Sequence, residues 1–168
     1  MTDGGAGREL AADAFAAREL AARESAAREL AGYEFAALRI DDYEAVAALW
    51  GRVPGMGRIE TREELAVFLD RNPQLSQVVR SQGQLVGAVL AGHDGRRGYL
   101  YHLAVAPEHR RHGLARRLVD RCLERLAALG LHRCGLQVYR ANESGMEFWR
   151  RAGWTERDDV QPFTIDLS

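Results

Sequence analysis

The chain has 168 residues, of which 46% are hydrophobic, and this length predicts a single domain with one closed core. Its formal net charge of -1 gives no overall field to hold nucleic acid or an anionic membrane, so neither is an expected partner and any anion site has to be local. No apolar run approaches the roughly 20 residues that a membrane span requires.

The N-terminal segment is acidic and repetitive. Asp3, Glu9 and Asp13 stand where a signal or transit peptide would be basic and poor in acids, so we expect a cytoplasmic protein. Arg-Glu-Leu recurs at a period of ten residues, which advances about 1000° around a helix and leaves no continuous apolar stripe. We predict an Ala/Arg/Glu-rich extension over residues 1–32, a marginal helix or disordered, before a domain over residues 33–168.

The first half of that domain is predicted to contain a strand, two helices and a hairpin. Residues 35–40 have the pattern of a strand, and a helix between residues 41 and 51 begins with two capping aspartates and ends at a glycine. A second helix over residues 61–72 opens with the Thr-x-x-Glu spacing of a capping box and closes at Asn-Pro. Strands over residues 77–80 and 85–91, joined through Gln-Gly, are typical of a hairpin.

The second half is predicted to alternate strands and helices. A third strand covers residues 99–105, a long amphipathic helix residues 114–129, and another strand residues 135–139. A short helix over residues 144–151 ends at a glycine, and a last strand fits residues 163–167. Strands that are first antiparallel and then joined through helices predict an α/β protein, with a mixed sheet and helices on both faces.

A basic turn joins the third strand to the long helix. The first four N–H groups of a helix have no internal acceptor and the helix dipole leaves a partial positive charge there, so this turn is an anion site. Gly113 lets a phosphate approach the backbone without a Cβ in the way, and Ala115 keeps the next turn small. An ordinary turn with surface arginines does not explain this pair of small residues. The pattern predicts a pyrophosphate site.

Two motifs resemble the GCN5-related N-acetyltransferase (GNAT) superfamily. Arg110-x-x-Gly113-x-Ala115, after a strand that ends Leu-Ala-Val-x-Pro, is similar to that superfamily's coenzyme A pyrophosphate loop. Asn142, followed seven residues later by Trp149 in Phe-Trp-x-x-x-Gly-Trp, is similar to its Asn and FY-x-x-x-GF ending. The resemblance implies a GNAT-like mixed, mostly antiparallel central sheet with splayed central strands. The resemblance is greatest to uncharacterised bacterial members of the superfamily, whose amine substrate is not established.

The resemblance also implies how acetyl-coenzyme A, the co-substrate, is held. In relatives the backbone of the third strand binds the pantetheine arm, the loop N–H groups cradle the pyrophosphate, and the Asn contacts the pantetheine side. A tyrosine that often protonates the departing thiolate is replaced here by a tryptophan, which cannot titrate. The residues implied to bind the co-substrate are Leu103, Ala104, Val105, Arg110, Arg111, His112, Gly113, Leu114, Ala115, Asn142 and Trp149.

The proton acceptor is not a carboxylate at the positions that relatives often use, where this chain has Tyr99 and Gln137. Histidine titrates near neutrality, and strand alternation predicts His102 on the face opposite Tyr101. We expect a water chain through Tyr101 or His102 to carry the proton. The alternative is that His102 is a core histidine whose hydrogen bonds are made within the protein. Tyr139 is the expected substitute for the missing proton donor.

Two function classes follow. One is an N-acetyltransferase in which a primary amine of a small molecule or peptide attacks the thioester directly, while a strand N–H near Ala104 or Val105 polarises the carbonyl. Deprotonating a lysine-like ammonium at pH 7 costs about 4.6 kcal/mol and an α-amine about 1, so a site poor in bases favours acceptors of low pKa. The alternative is a catalytically weak acyl-CoA-binding or regulatory module. A monomer or a homodimer is expected.

Two further groups of residues have competing interpretations. Glu60, Glu63 and Glu64 either bind a cationic acceptor or form a solvated, capped helix start, and the second is the stronger interpretation. Cys122 and Cys134 lack the spacing of a metal site and each lies in an apolar stretch. Two buried, reduced thiols and no metal site are therefore expected.

Overall fold

The structure is a computed structural model that describes residues 30–167. The N-terminal repeat up to residue 29 lies outside the described residues, so its predicted helical or disordered state stays a prediction. The described residues fall into two compact units, one ending at Leu136 and the other beginning at Gln137.

The first unit contains its strands and helices in the predicted order. Its α-helices are α1 (Tyr43–Arg52), α2 (Arg62–Arg71) and α3 (Leu114–Ala128), and its strands are β1 (Tyr33–Ala37), β2 (Gln77–Ser81), β3 (Gln84–His93), β4 (Gly98–Val105) and β5 (Cys134–Gly135). Short 3-10 helices cover Ile40–Asp42 and Pro107–His109. The sheet has the order β1-β2-β3-β4-β5, in which β4 and β5 are parallel and the other neighbours antiparallel. The predicted mixed, mostly antiparallel sheet is confirmed.

Helices cover both faces of the sheet, as expected. A Cβ placed on Gly87 of β3 would lie 3.3 Å from the Leu118 side chain of α3. A Cβ placed on Gly92 of the same strand would lie 2.9 Å from the Phe68 ring of α2. Side chains five residues apart on a strand point to opposite faces, so α2 and α3 pack on opposite faces. The buried apolar side chains of β2, β3 and β4 fill the space between them.

The parallel pairing of β4 with β5 is short. Only Gly98 with Cys134 and Tyr99 with Gly135 are paired, so β4 from residue 100 to 105 extends beyond the ladder. A parallel strand persists only where its neighbour continues beside it. The strand predicted over residues 135–139 is therefore wrong beyond Gly135, and the expected splay of the two central strands stays a prediction.

The second unit contains one helix, α4 (Glu143–Arg151), within the residues that the structure describes. The strand predicted over residues 163–167 is wrong, because this segment has no strand assignment. Its alternating apolar side chains Phe163, Ile165 and Leu167 are all exposed. Alternation indicates a strand only where a hydrogen-bonded neighbour and a buried face exist, and neither is described for this segment.

A chain that starts at Tyr33 is expected to keep its melting temperature and its affinity for acetyl-coenzyme A, because the repeat offers no continuous apolar stripe to the domain. Differential scanning calorimetry and titration calorimetry measure the two quantities. As a control, a chain starting at Leu38 also loses β1, which pairs with β2 over five residues, and should melt at a lower temperature. A large loss of stability or affinity in the first truncated chain would show that the repeat packs on the domain.

Candidate functional site

The basic loop between β4 and α3, residues 106–113, begins where the β3–β4 ladder ends. The Ala106 N–H donates to the Val86 carbonyl at 2.8 Å, and a 3-10 turn follows. Arg111 and Gly113 then adopt left-handed backbone conformations, with φ of 68° and 71°. Gly113 precedes the first turn of α3, and its carbonyl accepts the Arg117 N–H at 3.0 Å. The loop therefore turns its backbone sharply before it enters a fifteen-residue helix.

The N–H groups of this loop are available to an anion. Within residues 30–167, the backbone N–H groups of residues 111 to 116 have no protein acceptor, and residues 110 to 113 are exposed. A Cβ added to Gly113 would meet no atom within 4 Å, so the space above its backbone is open. Successive N–H groups beside a helix start form a concavity of the kind that binds phosphates. The residues present fit a diphosphate group.

The arginines around the loop have different roles. Arg116 and Arg117 are paired along α3, with Asp120 and Glu124, at 3.1 Å each. The Arg110 Nε instead donates to the Val105 carbonyl at 3.1 Å, which fixes its guanidinium at the end of β4. Arg110 is thus the basic side chain that connects the loop to the edge of β4.

Two histidines attach the loop to the rest of the first unit. The Nδ1 atom of His109 lies 3.1 Å from the Tyr33 hydroxyl of β1. The Nδ1 atom of His112 lies 3.3 Å from the His109 carbonyl oxygen, and its ring lies 6.1 Å from the Tyr33 ring. Tyr33 was not identified from the sequence, because nothing local indicates that β1 begins beside this loop.

The free edge of β4 lies on the side away from β3. Alternate residues of an antiparallel strand direct their N–H groups to alternate edges. Because the Ala106 N–H bonds β3, alternation directs the Ala104 N–H to β3 as well and the N–H groups of Leu103 and Val105 to the opposite edge. There the ladder with β5 has already ended. Of the two expected carbonyl-polarising donors, Val105 is therefore the available one.

A bulge in β4 changes the expected position of His102. Ala88 pairs with Ala104 and Leu90 with Tyr101, so β4 has one more residue than β3 over this stretch. His102 occupies the bulge with a φ of 51°, a left-handed conformation that is uncommon for a residue with a Cβ. A bulge interrupts the alternation of side chains. The expectation that His102 lies opposite Tyr101 is wrong, since both side chains contact the α1–α2 side of the sheet.

His102 contacts residues from two neighbouring elements. Its ring lies 5.0 Å from the Trp50 ring of α1, and its Nε2 lies 2.9 Å from Oε2 of Glu60, one residue before the cap of α2. The side chain of His102 is 11% exposed and that of Glu60 is 32% exposed. Among the described residues, Trp50 Nε1 is the one buried side-chain nitrogen or oxygen that lacks a hydrogen-bond partner. The result is a part-buried polar pair beside an indole donor.

The Glu60 carboxyl is held in its ionised form. Partial burial would raise its pKa, but the hydrogen bond to His102, backbone hydrogen bonding and the charges of His102 and Arg58 together lower the pKa below its ordinary value. Because this pKa is lower in the folded than in the unfolded chain, the carboxylate stabilises the fold at neutral pH. That contribution is lost as the pH falls through the lowered pKa.

Tyr101 lies beside the pair on β4. Its ring packs edge-on against Phe68 of α2 at 6.1 Å and stacks with Tyr99 at 6.4 Å. Burial, followed by the effects of Tyr99, Cys134 and Asp94, raises the pKa of its phenol. Tyr101 therefore keeps its proton at neutral pH and serves as a hydrogen-bonding group rather than as a base.

The predicted site residues of the second unit lie on and just before α4. Asn142 caps the helix, and its side-chain oxygen accepts the Gly145 N–H at 3.0 Å. The Trp149 ring packs edge-on against Phe148 at 4.9 Å and Trp154 at 5.0 Å. Tyr139 is exposed. Asn142 and Trp149 thus have structural roles within their own unit, and their contact with coenzyme A stays a prediction.

No metal site or reactive thiol is described in residues 30–167. No group of three or more His, Cys, Asp or Glu side chains within them is arranged to hold a metal ion. Burial raises the pKa of the Cys122 thiol to about 12 and that of the half-buried Cys134 thiol to about 11, so neither is a nucleophile at neutral pH. None of the described helices is long and apolar enough to span a membrane.

Comparison with known proteins places these features in a family. Residues 43–154 match the model of the Acetyltransferase (GNAT) family. An acetyltransferase of Pectobacterium atrosepticum is 35% identical over 117 residues, which cover 69% of this chain and 83% of that protein. An acetyltransferase of Sodalis glossinidius is 32% identical over 92 residues, but the match covers 55% of this chain and only 65% of that relative's length.

The fold also matches solved structures. An aminoglycoside acetyltransferase from an uncultured soil metagenomic sample, crystallised with sisomicin, superposes with a TM-score of 0.67. It is 18% identical, and the superposition covers 82% of this chain and 97% of that one. At this level of identity the likeness shows the fold alone.

Proposed function

The chain belongs to the Acetyltransferase (GNAT) family, and on that premise we propose that it transfers an acetyl group from acetyl-coenzyme A to a primary amine of a small molecule or peptide. The observation that carries the proposal is the basic loop at the start of α3. Among the residues that the structure describes, its N–H groups from residue 111 to 116 have no protein acceptor, and it follows directly on the free edge of β4. A diphosphate and an extended amide-bearing arm are the ligand parts that such a loop and edge fit.

Several groups of this chain would hold the co-substrate, which supplies the activated acetyl thioester. The N–H groups of residues 111–115 would bind the pyrophosphate, with Arg110 beside them, and the β4 edge at Leu103 and Val105 would hydrogen-bond the pantetheine arm. About four charge-assisted hydrogen bonds of about 1.5–3 kcal/mol each are comparable to the roughly 8 kcal/mol of micromolar binding. By resemblance to the family, we also propose that Asn142 and Trp149 contact coenzyme A.

The proposed chemistry depends mainly on alignment and on polarisation of the carbonyl. The Val105 N–H is oriented for that role, because the β4–β5 ladder ends before it. A thiol with an ordinary pKa near 8.5 leaves readily, so the lack of a tyrosine at Trp149 does not prevent transfer. Tyr139 is the proposed proton donor. A route through His102 and Tyr101 accepts the proton of the amine.

The proposed acceptor is an amine of low pKa, since the site lacks a carboxylate at the usual strand positions. The aminoglycoside complex of the structural neighbour makes aminoglycosides one class of amine to test. In the proposed setting the protein is cytoplasmic, a monomer or a homodimer, and has no nucleic acid or membrane partner.

The second candidate is a catalytically weak acyl-CoA-binding module. Tyr99 on β4 and Trp149 on α4 favour it, because Tyr99 does not supply the carboxylate base and Trp149 does not supply the phenolic acid of an active enzyme. Coenzyme A release measured with polyamines, aminoglycosides, free amino acids and peptide N-termini separates the two candidates. Release with at least one acceptor supports the enzyme, whereas tight acetyl-coenzyme A binding with no release for any of them supports the module.

Replacing Trp149 by tyrosine is expected to raise turnover by up to the 10²–10⁴-fold of a positioned general acid, with misplacement of the phenol reducing the gain. The phenol would protonate the departing thiolate, which an indole cannot do. Trp149→Phe is the matched control, because it gives a similar ring without the hydroxyl and should not raise turnover. Both rings are smaller than indole and leave a small cavity beside Trp154, so turnover is compared well below the melting temperature.

An unchanged turnover in Trp149→Tyr, with normal acetyl-coenzyme A binding, would show that protonation of the thiolate does not limit the reaction. Tyr139 or water would then supply that proton.

A further inference from the structure

We propose that Glu60 is a positioning residue that fixes the tautomer of His102 and stabilises its protonated form, so that His102 accepts the proton of the incoming amine. The inference rests on the proposed acetyltransferase function and adds to it a carboxylate–histidine pair. The pair replaces the missing strand carboxylate with one from the segment before α2.

The hydrogen bond between the two side chains determines which nitrogen is basic. His102 Nε2 lies 2.9 Å from Oε2 of Glu60. An ionised carboxylate only accepts hydrogen bonds, so Nε2 carries the proton and Nδ1 of the neutral ring carries the lone pair. The hydrogen bond described for the His102 ring within residues 30–167 uses Nε2. Nδ1 is therefore the nitrogen that we assign as the proton acceptor.

Hydrogen bonds fix both the backbone of Glu60 and the residue that follows it. The Tyr43 hydroxyl of α1 donates to its backbone carbonyl at 3.2 Å. The next residue, Thr61, forms the capping box of α2, in which its N–H donates to Glu64 Oε2 at 2.8 Å. Glu64 also pairs with Arg58 at 2.8 Å, so that carboxylate is occupied by other partners. Glu60 is the acidic group of this segment that is left to bind His102.

His102 is held in an unusual backbone conformation. Its φ of 51° in the β4 bulge directs the imidazole between Trp50 of α1 and Glu60. An uncommon backbone conformation persists where its surroundings impose it, and such residues cluster at functional sites. The buried indole N–H of Trp50, which lacks an acceptor within the described residues, adds a polar group next to the pair.

The proton transfers balance as follows. Nδ1 of neutral His102 takes one proton from R–NH₃⁺ to give R–NH₂ and an imidazolium, which the Glu60 carboxylate stabilises. The amine nitrogen forms a bond to the thioester carbonyl carbon, and the carbon–sulfur bond breaks. Tyr139 donates a proton to the thiolate and regains one from the nitrogen, which loses its second proton in this way, giving the amide and the free thiol, and the imidazolium releases its proton to water.

The charged and titratable groups that face the pair come from three elements. The segment before α2 provides Glu60 and Arg58, whose charge acts on Glu60. Helix α1 provides Tyr43, through its bond to the Glu60 carbonyl, and β4 provides Tyr101 beside the bulge. Glu60 is the one of these groups that bonds the imidazole, so removing its charge acts directly on the imidazolium.

The first experiment measures the ring itself, using long-range ¹H–¹⁵N correlation spectra of the full chain. In the wild type the His102 ring should be the Nε2–H tautomer at neutral pH. In Glu60→Gln the amide can donate as well as accept, so a mixture of tautomers is expected, together with titration of the ring at lower pH. Identical tautomers and titrations in the two proteins would overturn the proposal. This readout does not depend on turnover.

The second experiment measures the pH profile of kcat/KM with an acceptor found in the amine panel. Glu60→Gln should lower the plateau by at least about tenfold and shift the acid limb to lower pH, because the imidazolium loses its counter-ion. Glu60→Asp should restore part of the rate and move the limb back. Glu44→Gln, which removes an exposed carboxylate from neighbouring α1, is the control and should match the wild type.

The outcomes distinguish failure of the proposed role of Glu60 from failure of the proposed acetyltransferase function. A wild type that acetylates amines and a Glu60→Gln protein with the same rate and profile would overturn the role of Glu60 and leave the acetyltransferase standing. A wild type that releases no coenzyme A with any amine of the panel would overturn the function, and the catalytic role of the pair with it. A reduced rate with an unshifted acid limb would show a merely structural role and would also overturn the proposal.

Discussion

Replacing Gly113 by aspartate is expected to abolish acetyl-coenzyme A binding while leaving the fold intact. The substitution puts a carboxylate where the N–H groups of residues 111–116 are proposed to meet a pyrophosphate. Loss of a charge-assisted hydrogen bond and the added repulsion together should weaken binding by at least about 100-fold. No atom of residues 30–167 lies within 4 Å of the new Cβ, and aspartate is among the residues that tolerate a φ of 71°. The folded domain should therefore accept it.

Gly113→Asn is the matched control for this experiment. Asparagine has nearly the same shape as aspartate and the same tolerance of the left-handed conformation, but it is uncharged. Titration calorimetry should therefore show a modest loss of affinity for Gly113→Asn and no measurable binding for Gly113→Asp. Circular dichroism checks that both variants are folded. Equal affinity in the wild type and Gly113→Asp would show that the co-substrate binds elsewhere.

The loop and most elements could be predicted because their signals are local. The capping-box spacing at Thr61 and Glu64 is matched by both reciprocal hydrogen bonds. The Gln82-Gly83 pair adopts φ of 49° and 78°, which suits the tight turn of the β2–β3 hairpin. The helix that begins after Gly113 differs from its predicted range by one residue at its end. Each of these features depends on residues that are adjacent in the chain.

The errors and omissions concern contacts between distant residues. The pair of Glu60 and His102 joins positions 42 residues apart, and the bulge that directs His102 is visible only in the β3–β4 register. Alternation alone placed His102 on the wrong face, because a bulge adds one residue to a strand without a sequence marker. The strand expected over residues 163–167 likewise depended on a neighbour that a local pattern cannot reveal.

Replacing His102 by asparagine is expected to lower kcat by about 10²–10⁴-fold, the typical contribution of a positioned general base, with little change in acetyl-coenzyme A affinity. Asparagine is chosen because it tolerates the left-handed conformation of the bulge, with a φ of 51°. It is too short to reach Glu60, whose carboxylate is 32% exposed and so regains water. The stability cost should then lie near the lower end of the about 1–3 kcal/mol for a lost partner.

His132→Asn is the matched control, because His132 is exposed and belongs to the segment between α3 and β5. It should turn over like the wild type. Steady-state kinetics at saturating acetyl-coenzyme A, well below the melting temperature of each variant, separates loss of chemistry from loss of fold. If His102→Asn keeps its turnover within about threefold of the wild type, His102 is a core histidine. The amine then loses its proton to water or by way of Tyr101, and acceptors that are already neutral at pH 7 become the ones that this site can use.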